Sequence, residues 1–435
     1  MGNSSKKASS LTKPTLDERL LKLFDKLCKY ELLDQELFLE HFKSDDNKGK
    51  NNVGSYLFNW YFIDLLKASP ISRKIFAERA QTILDYVYKS QNEKINLYFD
   101  ILTNNQCDFN EEDLTLIFKD CCKYGILLAM DSCVILKEDV LICSMVKSCL
   151  NGATCVSKKN VKSFLIDESF YIFAGFEAWL FEKFTGSPLK TNFEMLLLPT
   201  ECESGNTMLT PTLLYFLCTR LPTCYIRMDN KFNDINKDAE NEKFSWNLLY
   251  DSNQHGLSLN RFKSKLMNYK SATITILKFV SGVVLILALD EPWRDGPDKY
   301  GGPYCQLIEV SPNLKVIESF LIDLLLANSS MVYLKENSRS ISTGLHIGCD
   351  TNSKVKIDKD LQCAELNYRN SVNEVLGRVE TWGCGGVKAK RNQEDLKKWE
   401  LNEIEKRKKV KLPGEWDTDK AILEMGGVCV NHSQR

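Results

Sequence analysis

The sequence has few histidines and none of the short motifs that mark common enzymes. Only four histidines occur among 435 residues, so general-base catalysis has few candidates. The motifs G-x-S-x-G, H-E-x-x-H, Walker A and G-x-G-x-x-G are all absent from the chain. We therefore expect a protein that is not an enzyme, with no catalytic residue, no metal site and no cofactor.

Long hydrophobic runs and an excess of one charge are also missing. The longest nearly unbroken apolar run covers residues 279–289, whereas a membrane-spanning helix needs about 20 residues. The first fifteen residues are polar, so we expect no secretory signal. Lys plus Arg total 57 and Asp plus Glu total 58. Because phosphate neutralisation dominates nucleic-acid affinity, this balance argues against a nucleic-acid-binding protein.

Cysteine is abundant, but the C-x-x-C pattern is absent. The sixteen cysteines lie at irregular spacings, and without a secretory signal we interpret them as reduced thiols that pack as small hydrophobic residues. A redox-active protective protein is the alternative. It would require an exposed cysteine with a lowered pKa.

Hydrophobic periodicity divides the chain near residue 200. Residues 1–14 form a polar tail, and residues 15–206 show repeated helical patterns, including 55–67, 73–89 and 137–149. A further helix is predicted at 111–124, with Gly125 as its C-cap. This part is therefore predicted to be all-helical.

The pattern changes to short β-like runs over residues 207–384, which Gly, Pro, Asn and Asp punctuate. The clearest runs cover 273–278, 283–289 and 305–310. This spacing favours antiparallel sheets, arranged as a sandwich with a few helices. A polar insertion occupies residues 229–243, and residues 385–435 become helical and charged. The predicted fold class is α+β.

The N-terminus resembles an acylation signal. Myristoylation requires Gly2 to be exposed after removal of Met1, with Ser or Thr at position 6. Position 6 is Lys6, and Ser5 stands one place early, so a merely polar tail stays open as an alternative. One acyl chain binds membranes only marginally. The lysines of the tail could supply the second signal, at about 1 kcal/mol each near an anionic leaflet.

Two segments resemble the start of an EF-hand calcium loop. One begins at Asp45 and the other at Asp108. Both lack the glycine at the sixth place and the glutamate at the twelfth, which provide the sharp turn and the bidentate ligand. A calcium-responsive sensor is thus an alternative that requires unusual loops, and degenerate helical pairs are the simpler interpretation.

The C-terminal helix combines many charges with a few apolar residues. Residues 386–411 hold ten Lys or Arg and five acidic residues, while Leu396, Trp399 and Ile404 form a narrow apolar stripe. Docking onto a partner fits this pattern. A solvated surface helix and membrane-surface binding through the cluster that includes Lys406 and Arg407 are the alternatives.

The C-terminal half resembles the TLDc domain. The resemblance lies in the order of several short motifs: Trp-Asn-Leu-Leu-Tyr, His-Gly-x-Ser, Tyr-Gly, Gly-Leu-His-Ile-Gly and Glu-x-Trp-Gly. The matching residues are Trp246, Tyr250, His255, Gly256, Ser258, Tyr300, Gly301, Gly348, Glu380, Trp382 and Gly383. The match spans residues 207–384. It departs from the family at Cys349, where a second glycine is usual, and at the aromatic-poor segment 305–310.

The layout of the whole chain resembles the myristoylated, lysosomal, mTOR-associated group of TLDc proteins, of the nematode Eak type. That resemblance implies degenerate EF-hand-like helices, a TLDc β-sandwich and residence at the cytoplasmic face of the lysosomal membrane or in the cytoplasm. The implied partners are the V-ATPase catalytic sector, mTOR-pathway proteins and the lysosomal membrane, which the N-terminal acyl chain contacts. We expect a non-enzymatic, membrane-tethered regulatory adaptor. A link of the family to oxidative-stress resistance keeps the thiol alternative open.

Overall fold

The computed structural model describes residues 17–43, 53–64, 70–129, 139–169, 171–189, 196–203, 205–226, 244–319, 330–337, 343–409 and 425–426. Gly2, the lysines of the tail, the first eight places (45–52) of the twelve-residue calcium-loop pattern and the polar insertion lie outside these ranges. Arg407 is described only by its place in a helix. No helix within the described ranges has both the length and the apolar character that crossing a bilayer requires.

The N-terminal half is a set of helices joined by short loops. Its helices are α1 (Glu18–Leu27), α2 (Gln35–His41), α3 (Val53–Tyr56, continued by a π-helix at Leu57–Asp64), α4 (Arg73–Asp85), α5 (Gln91–Leu102), α6 (Glu111–Ala129), α7 (Val140–Leu150), α8 (Lys158–Glu168), α9 (Ala174–Thr185) and α10 (Thr200–Glu203). Short strands interrupt it at β1 (Cys28–Lys29), β2 (Leu32–Leu33), β3 (Asp108–Asn110), β4 (Cys155–Ser157) and β5 (Leu196–Leu197). The prediction of an all-helical region therefore misses these strands, which lie in the loops.

The loops of the N-terminal half meet in pairs. The loop between α5 and α6 joins the loop between α7 and α8 through an antiparallel ribbon of β3 and β4. The loop after α1 meets the loop before α4, where the Leu33 N–H donates to the Ile71 carbonyl over 3.1 Å. Helix–loop–helix units joined at their loops have the architecture of EF-hands. The prediction of a helical N-terminal region is confirmed, and its EF-hand-like character stays a prediction.

Gly125 does not end a helix. Helix α6 continues four residues further, to Ala129. A Cβ atom at Gly125 would lie 2.0 Å from the ring of Tyr215, and one at Gly175 of α9 would lie 2.2 Å from the Gly125 Cα. The two glycines let α6 and α9 approach closely, with the Tyr215 ring against both. The predicted C-cap is therefore wrong, since the glycine serves packing instead.

The C-terminal half is built on antiparallel strands. They are β7 (Asn247–Asp251), β8 (Thr273–Phe279), β9 (Val284–Leu289), β10 (Gln306–Ser311), β11 (Lys315–Ser319), β12 (Val332–Lys335), β13 (Gly344–Ile347), β14 (Val355–Ile357), β15 (Cys363–Leu366) and β16 (Val372–Gly383). The short β6 (Phe244–Ser245) instead pairs in parallel with β5. The helices are α11 (Pro211–Arg220), α12 (Ser252–His255), α13 (Leu259–Leu266) and α14 (Gly386–Lys409).

Strand β16 belongs to two sheets. Its first four residues pair with β15, which continues the second sheet through β14 and β13 to β12. From Leu376 onward it pairs with β8, which continues the first sheet through β9 and β10 to β11, while β7 pairs with its other edge. Leu277 and Leu287 of the first sheet share a buried cluster with Leu345 and Val355 of the second. The predicted antiparallel sandwich is confirmed, and β16 links its two layers.

The first sheet is buried on both faces. Leu285 and Leu287 of β9 face the sandwich core, whereas Ile286 and Ala288 lie in the cluster that contains the N-terminal helices. All six residues of β9 are consequently buried, which explains its continuous apolar run. The helical half therefore covers the outer face of the sheet.

Candidate functional site

Glu380 ties together the segments where the C-terminal half begins and ends. Its side chain is fully buried, and its two carboxylate oxygens accept the Met208 N–H over 2.8 and 2.9 Å. The Trp382 indole N–H donates to the same carboxylate over 3.3 Å. Burial raises the pKa of Glu380, and the Met208 bond and the charge of Arg378 act against that rise.

Arg378 completes this buried group. Its guanidinium lies 2.7 Å from the Glu380 carboxylate and 3.2 Å from that of Asp251, and it donates to the Asn206 carbonyl over 2.6 Å. The Glu-x-Trp-Gly motif singles out Glu380 but neither Arg378 nor Asp251. Side chains alternate between the two faces of a strand, so the sequence of β16 already places Arg378 on the same face as Glu380 and could have identified it as a partner.

The Trp-Asn-Leu-Leu-Tyr and His-Gly-x-Ser motifs form one turn. The Trp246 indole N–H donates to the Tyr225 carbonyl over 2.8 Å, and the Tyr250 hydroxyl donates to the Gly256 carbonyl over 2.7 Å. His255 Nδ1 accepts the Asp251 N–H over 3.2 Å, and its ring stacks on Tyr250. Ser258 is the N-cap residue of α13, although its hydroxyl makes no capping bond.

Burial, followed by the charge of Lys265, lowers the pKa of His255. A neutral ring that accepts a backbone N–H is consistent with this direction. The turn therefore uses its histidine to hold the start of α12 in place.

The remaining motif residues shape loops and close contacts. Tyr300 is buried and exchanges two backbone hydrogen bonds with Val332. Gly301 and Gly348 have φ angles of 117° and 128°, in the region that L side chains avoid. A Cβ atom at Gly383 would lie 2.4 Å from the Tyr269 ring. Together with the fully buried Trp382, these residues build the domain.

Helix α14 is fixed to the domain at its base. The Gly385 N–H donates to the Tyr269 hydroxyl over 2.8 Å. The buried Gln393 side-chain amide donates to the carbonyls of Lys265 and Met267 over 2.7 and 2.9 Å. Gln393 thus bonds carbonyl groups at the end of α13, and sequence analysis missed it because one glutamine in a charged helix gives no periodic signal.

The distal turns of α14 expose apolar side chains. Trp399 is 61% exposed, Leu401 63% and Ile404 49%, while Leu396 is half-buried. At about 100° per residue, Trp399 and Ile404 point about 140° apart, and Leu401 widens the spread to about 200°. The predicted stripe of Leu396, Trp399 and Ile404 spans about 140° of the helix, and the exposed Leu401, which the prediction did not include, widens the apolar surface to more than half of the helix circumference. Lys406 is exposed and pairs with Glu403 over 2.9 Å.

The second calcium-like segment is divided between a strand and a helix. Asp108 and Asn110 lie in β3, and Glu112 belongs to the first turn of α6. A lysine occupies the neighbourhood, because Lys158 Nζ lies 2.7 Å from the Asp100 carboxylate and donates to the Asn105 side-chain carbonyl over 2.5 Å. The residues of this loop pair do not fit a calcium ion. Among the described residues, no three His, Cys, Asp or Glu side chains group as metal ligands would.

The described cysteines include two kinds of free thiol. Cys121, Cys149, Cys218, Cys305 and Cys384 are buried, and burial raises the pKa of each. These pack as the sequence predicts. Four others are exposed, namely Cys107, Cys143, Cys155 and Cys363. A thiol-based activity would therefore rest on the exposed group.

Comparison with known proteins identifies the C-terminal half. Residues 208–381 match the family model described as the TLDc domain. The chain is also similar to proteins named "Restriction of telomere capping protein 5". One, from Zygosaccharomyces rouxii, is 23% identical and aligns with 41% of this chain and 43% of its own length. One from Candida glabrata is 25% identical over 34% of this chain and 31% of its own length.

A shorter segment is more similar to a third relative. The protein of the same name from Colletotrichum graminicola is 47% identical over 51 residues, which is 12% of this chain and 8% of that protein. This chain thus spans less than half of the length of the curated relatives it matches. Their name differs from the lysosomal, mTOR-associated group that the layout resembles, so that finer resemblance is a proposal only. Residues 208–381 of this chain form a TLDc domain.

Proposed function

We propose that this chain is a non-enzymatic, membrane-tethered regulatory adaptor at the cytoplasmic face of the lysosomal membrane. In this proposal, the TLDc domain and α14 bind the V-ATPase catalytic sector, and the chain takes part in mTOR signalling through its partners. The observation that supports it is the form of α14, whose base is fixed by Gln393 and whose distal turns expose Trp399, Leu401 and Ile404.

The arrangement of these side chains favours insertion over flat docking. An amphipathic helix that lies on a groove needs its apolar residues on one face. Here they point in several directions around the distal turns, which fits a partner that surrounds the helix. Burying one such side chain contributes about 1.5–3 kcal/mol, so Trp399 and Ile404 together could change affinity by about a hundredfold or more.

The helix test compares two double variants. Replacing Trp399→Ala and Ile404→Ala should lower recovery of the V-ATPase catalytic sector at least about tenfold in a pull-down with the full chain, because both apolar contacts are lost. Lys398→Ala with Glu405→Ala is the matched control, since both residues are exposed on the same turns. Equal recovery with both double variants would contradict the role of α14.

The tether test uses Gly2→Ala. Without an N-terminal glycine the chain cannot be myristoylated, and a large part of it should move from the membrane to the soluble fraction when cells are fractionated. Ser5→Ala is the control, because it leaves the glycine intact. Unchanged membrane association of Gly2→Ala would remove acylation from the proposal and leave V-ATPase binding to be judged separately.

A further inference from the structure

A basic cavity opens in the helical half, far along the chain from the TLDc motifs. It has a volume of about 550 Å³, within the range of about 300–1,000 Å³ that small-molecule sites occupy. Helix α1, the end of α2 and the C-terminal part of α9 form its walls, and Leu127 of α6 contributes a side chain. His41 joins two walls, because its Nε2 donates to the Lys183 carbonyl over 2.8 Å.

The charge of the lining is strongly one-sided. Five cationic side chains face the cavity, namely those of Arg19, Lys22, Lys26, Lys43 and Lys183, and Glu182 is its acidic residue. Arg19 already pairs with Asp17 over 2.6 Å. In the part of the chain that the structure describes, Lys22, Lys26 and Lys43 form no ion pair. Three unpaired ammonium groups around one concave space repel one another unless an anion enters.

The base of the cavity is apolar. Leu23, Trp179 and Phe184 are buried beneath the charged side chains, and the Lys183 ammonium lies 5.9 Å from the centre of the Trp179 ring. The apolar floor excludes water from one side of the cavity, whereas the exposed Lys22, Lys26 and Lys43 stay solvated on the other. The negative end of α9 opposes the field of the lysines, but a helix terminus carries only about half an elementary charge. The lining therefore remains cationic.

We propose that this cavity binds a polyphosphorylated ligand, either the head group of a phosphorylated inositol lipid or a soluble inositol phosphate. One phosphate carries a charge of about −1.5 to −2, so two or three are needed to balance the lining. Lysines bind phosphate as point charges without a fixed geometry, which suits a ring that bears several phosphates. The site is independent of Gly2 acylation and of V-ATPase binding.

The test uses the full chain without its acyl group, so that vesicle binding reports on the protein surface. One arm measures co-sedimentation with phosphatidylcholine vesicles that contain phosphatidylinositol bisphosphate, against phosphatidylserine vesicles of equal total charge. The other arm measures binding of soluble inositol trisphosphate by calorimetry. The variant is Lys22→Glu with Lys26→Glu, two exposed residues one turn apart on α1.

The matched control is Lys270→Glu with Lys359→Glu. Both are exposed lysines of the C-terminal half, so the net charge changes equally while the cavity lining is unchanged. We expect the cavity variant to bind at least about tenfold more weakly than wild type, the control to bind as wild type, and both to keep the wild-type melting temperature. Binding of the soluble ligand alone would support a soluble source, and preference for the bisphosphate vesicles would support a membrane source.

Three results would overturn the proposal. They are absence of binding in both arms, equal affinity of the cavity variant and wild type, and equal affinity for the two kinds of vesicle without binding of inositol trisphosphate. The last result would mean that general surface charge, rather than the cavity, attracts the membrane.

Discussion

Glu380 is a carboxylate held in the interior of the domain, and its neighbours explain how it remains there. Transfer of a charge from water to the interior is costly unless hydrogen bonds and an opposite charge compensate. The Met208 N–H, the Trp382 indole and the Arg378 guanidinium all contact it. The Met208 bond joins the start of the TLDc domain to its last strand, so Glu380 holds the two ends of the domain together.

Replacing Glu380→Ala should lower the free energy of unfolding by about 3–5 kcal/mol, since Arg378 and the Met208 N–H would each lose a buried partner. Glu380→Gln keeps an acceptor for Met208 but loses the charge pair, so it should cost less. Urea unfolding of the full chain measures both. A loss below about 1 kcal/mol for the alanine variant, the size of one ordinary hydrogen bond, would show that the buried group does not hold the domain closed.

At this scale the sequence located residues but not their partners. The Glu-x-Trp-Gly motif identified Glu380 and Trp382, because both side chains recur in the family it resembles. The alternation of β16 places Arg378 on the same face as Glu380, but Asp251 belongs to another strand and carries no local pattern. Their proximity arises from the pairing of β7 with β16, which no short motif encodes.

Among the secondary-structure elements, the contact of α6 with α9 depends on the absence of two side chains. Gly125 and Gly175 face each other, and Tyr215 of α11 donates to the Ile172 carbonyl while accepting the Gly175 N–H. A phenol ring and two helix backbones therefore fill one small space. This packing overrides the usual preference of a helix for alanine over glycine.

Gly125→Ala should consequently lower the free energy of unfolding by about 1–3 kcal/mol, as overpacking does. In a solvated helix the same change would raise it by about 1 kcal/mol. The sign of the change in melting temperature is the measurement. Gly296→Ala is the control, because a methyl group added there would have no other atom within 4 Å and its φ lies outside the left-handed region. A stabilising effect at Gly125 would contradict the close contact.

Elements with strong periodicity are predictable from the sequence, and short polar ones are not. The apolar runs of β8, β9 and β10 and the helical pattern of α7 agree with the structure within a few residues. Strands β14 and β15 have three and four residues and include charged side chains, so their own sequence gives little alternation. Their pairing with neighbours, rather than local preference, makes them strands.

For the molecule as a whole, the two halves share one hydrophobic core across the outer face of the first sheet. Ile276 and Ile286 are direct cross-strand neighbours on β8 and β9, and both lie in the cluster of the N-terminal helices. A hydrogen bond also joins the two halves at this boundary, because the Glu168 carboxylate of α8 accepts the Val316 N–H over 2.8 Å. The continuous apolar run of β9 indicated burial, but it could not indicate which part of the chain covers the strand.

A chain shortened to residues 205–435 should therefore bind a hydrophobic dye and aggregate, because the covered face becomes exposed. Replacing Ile276→Thr and Ile286→Thr keeps β propensity and should reduce aggregation of the shortened chain. The same pair should destabilise the full chain by a few kcal/mol. Light scattering measures the expected decrease in aggregation of the shortened chain, and thermal unfolding measures the expected destabilisation of the full chain. A shortened chain without the threonines that stays soluble and binds no dye would refute a shared core.

The cover over the first sheet also restricts how a second molecule can approach. With one broad face occupied from within the same chain, a binding protein cannot approach the first sheet from that side, whereas the projecting end of α14 exposes Trp399, Leu401 and Ile404. Any competitor for the occupied face would first have to displace the N-terminal helices, at the energetic cost of an internal core, so an inhibitor of the docking proposed for α14 is better aimed at the projecting helix than at the sheet.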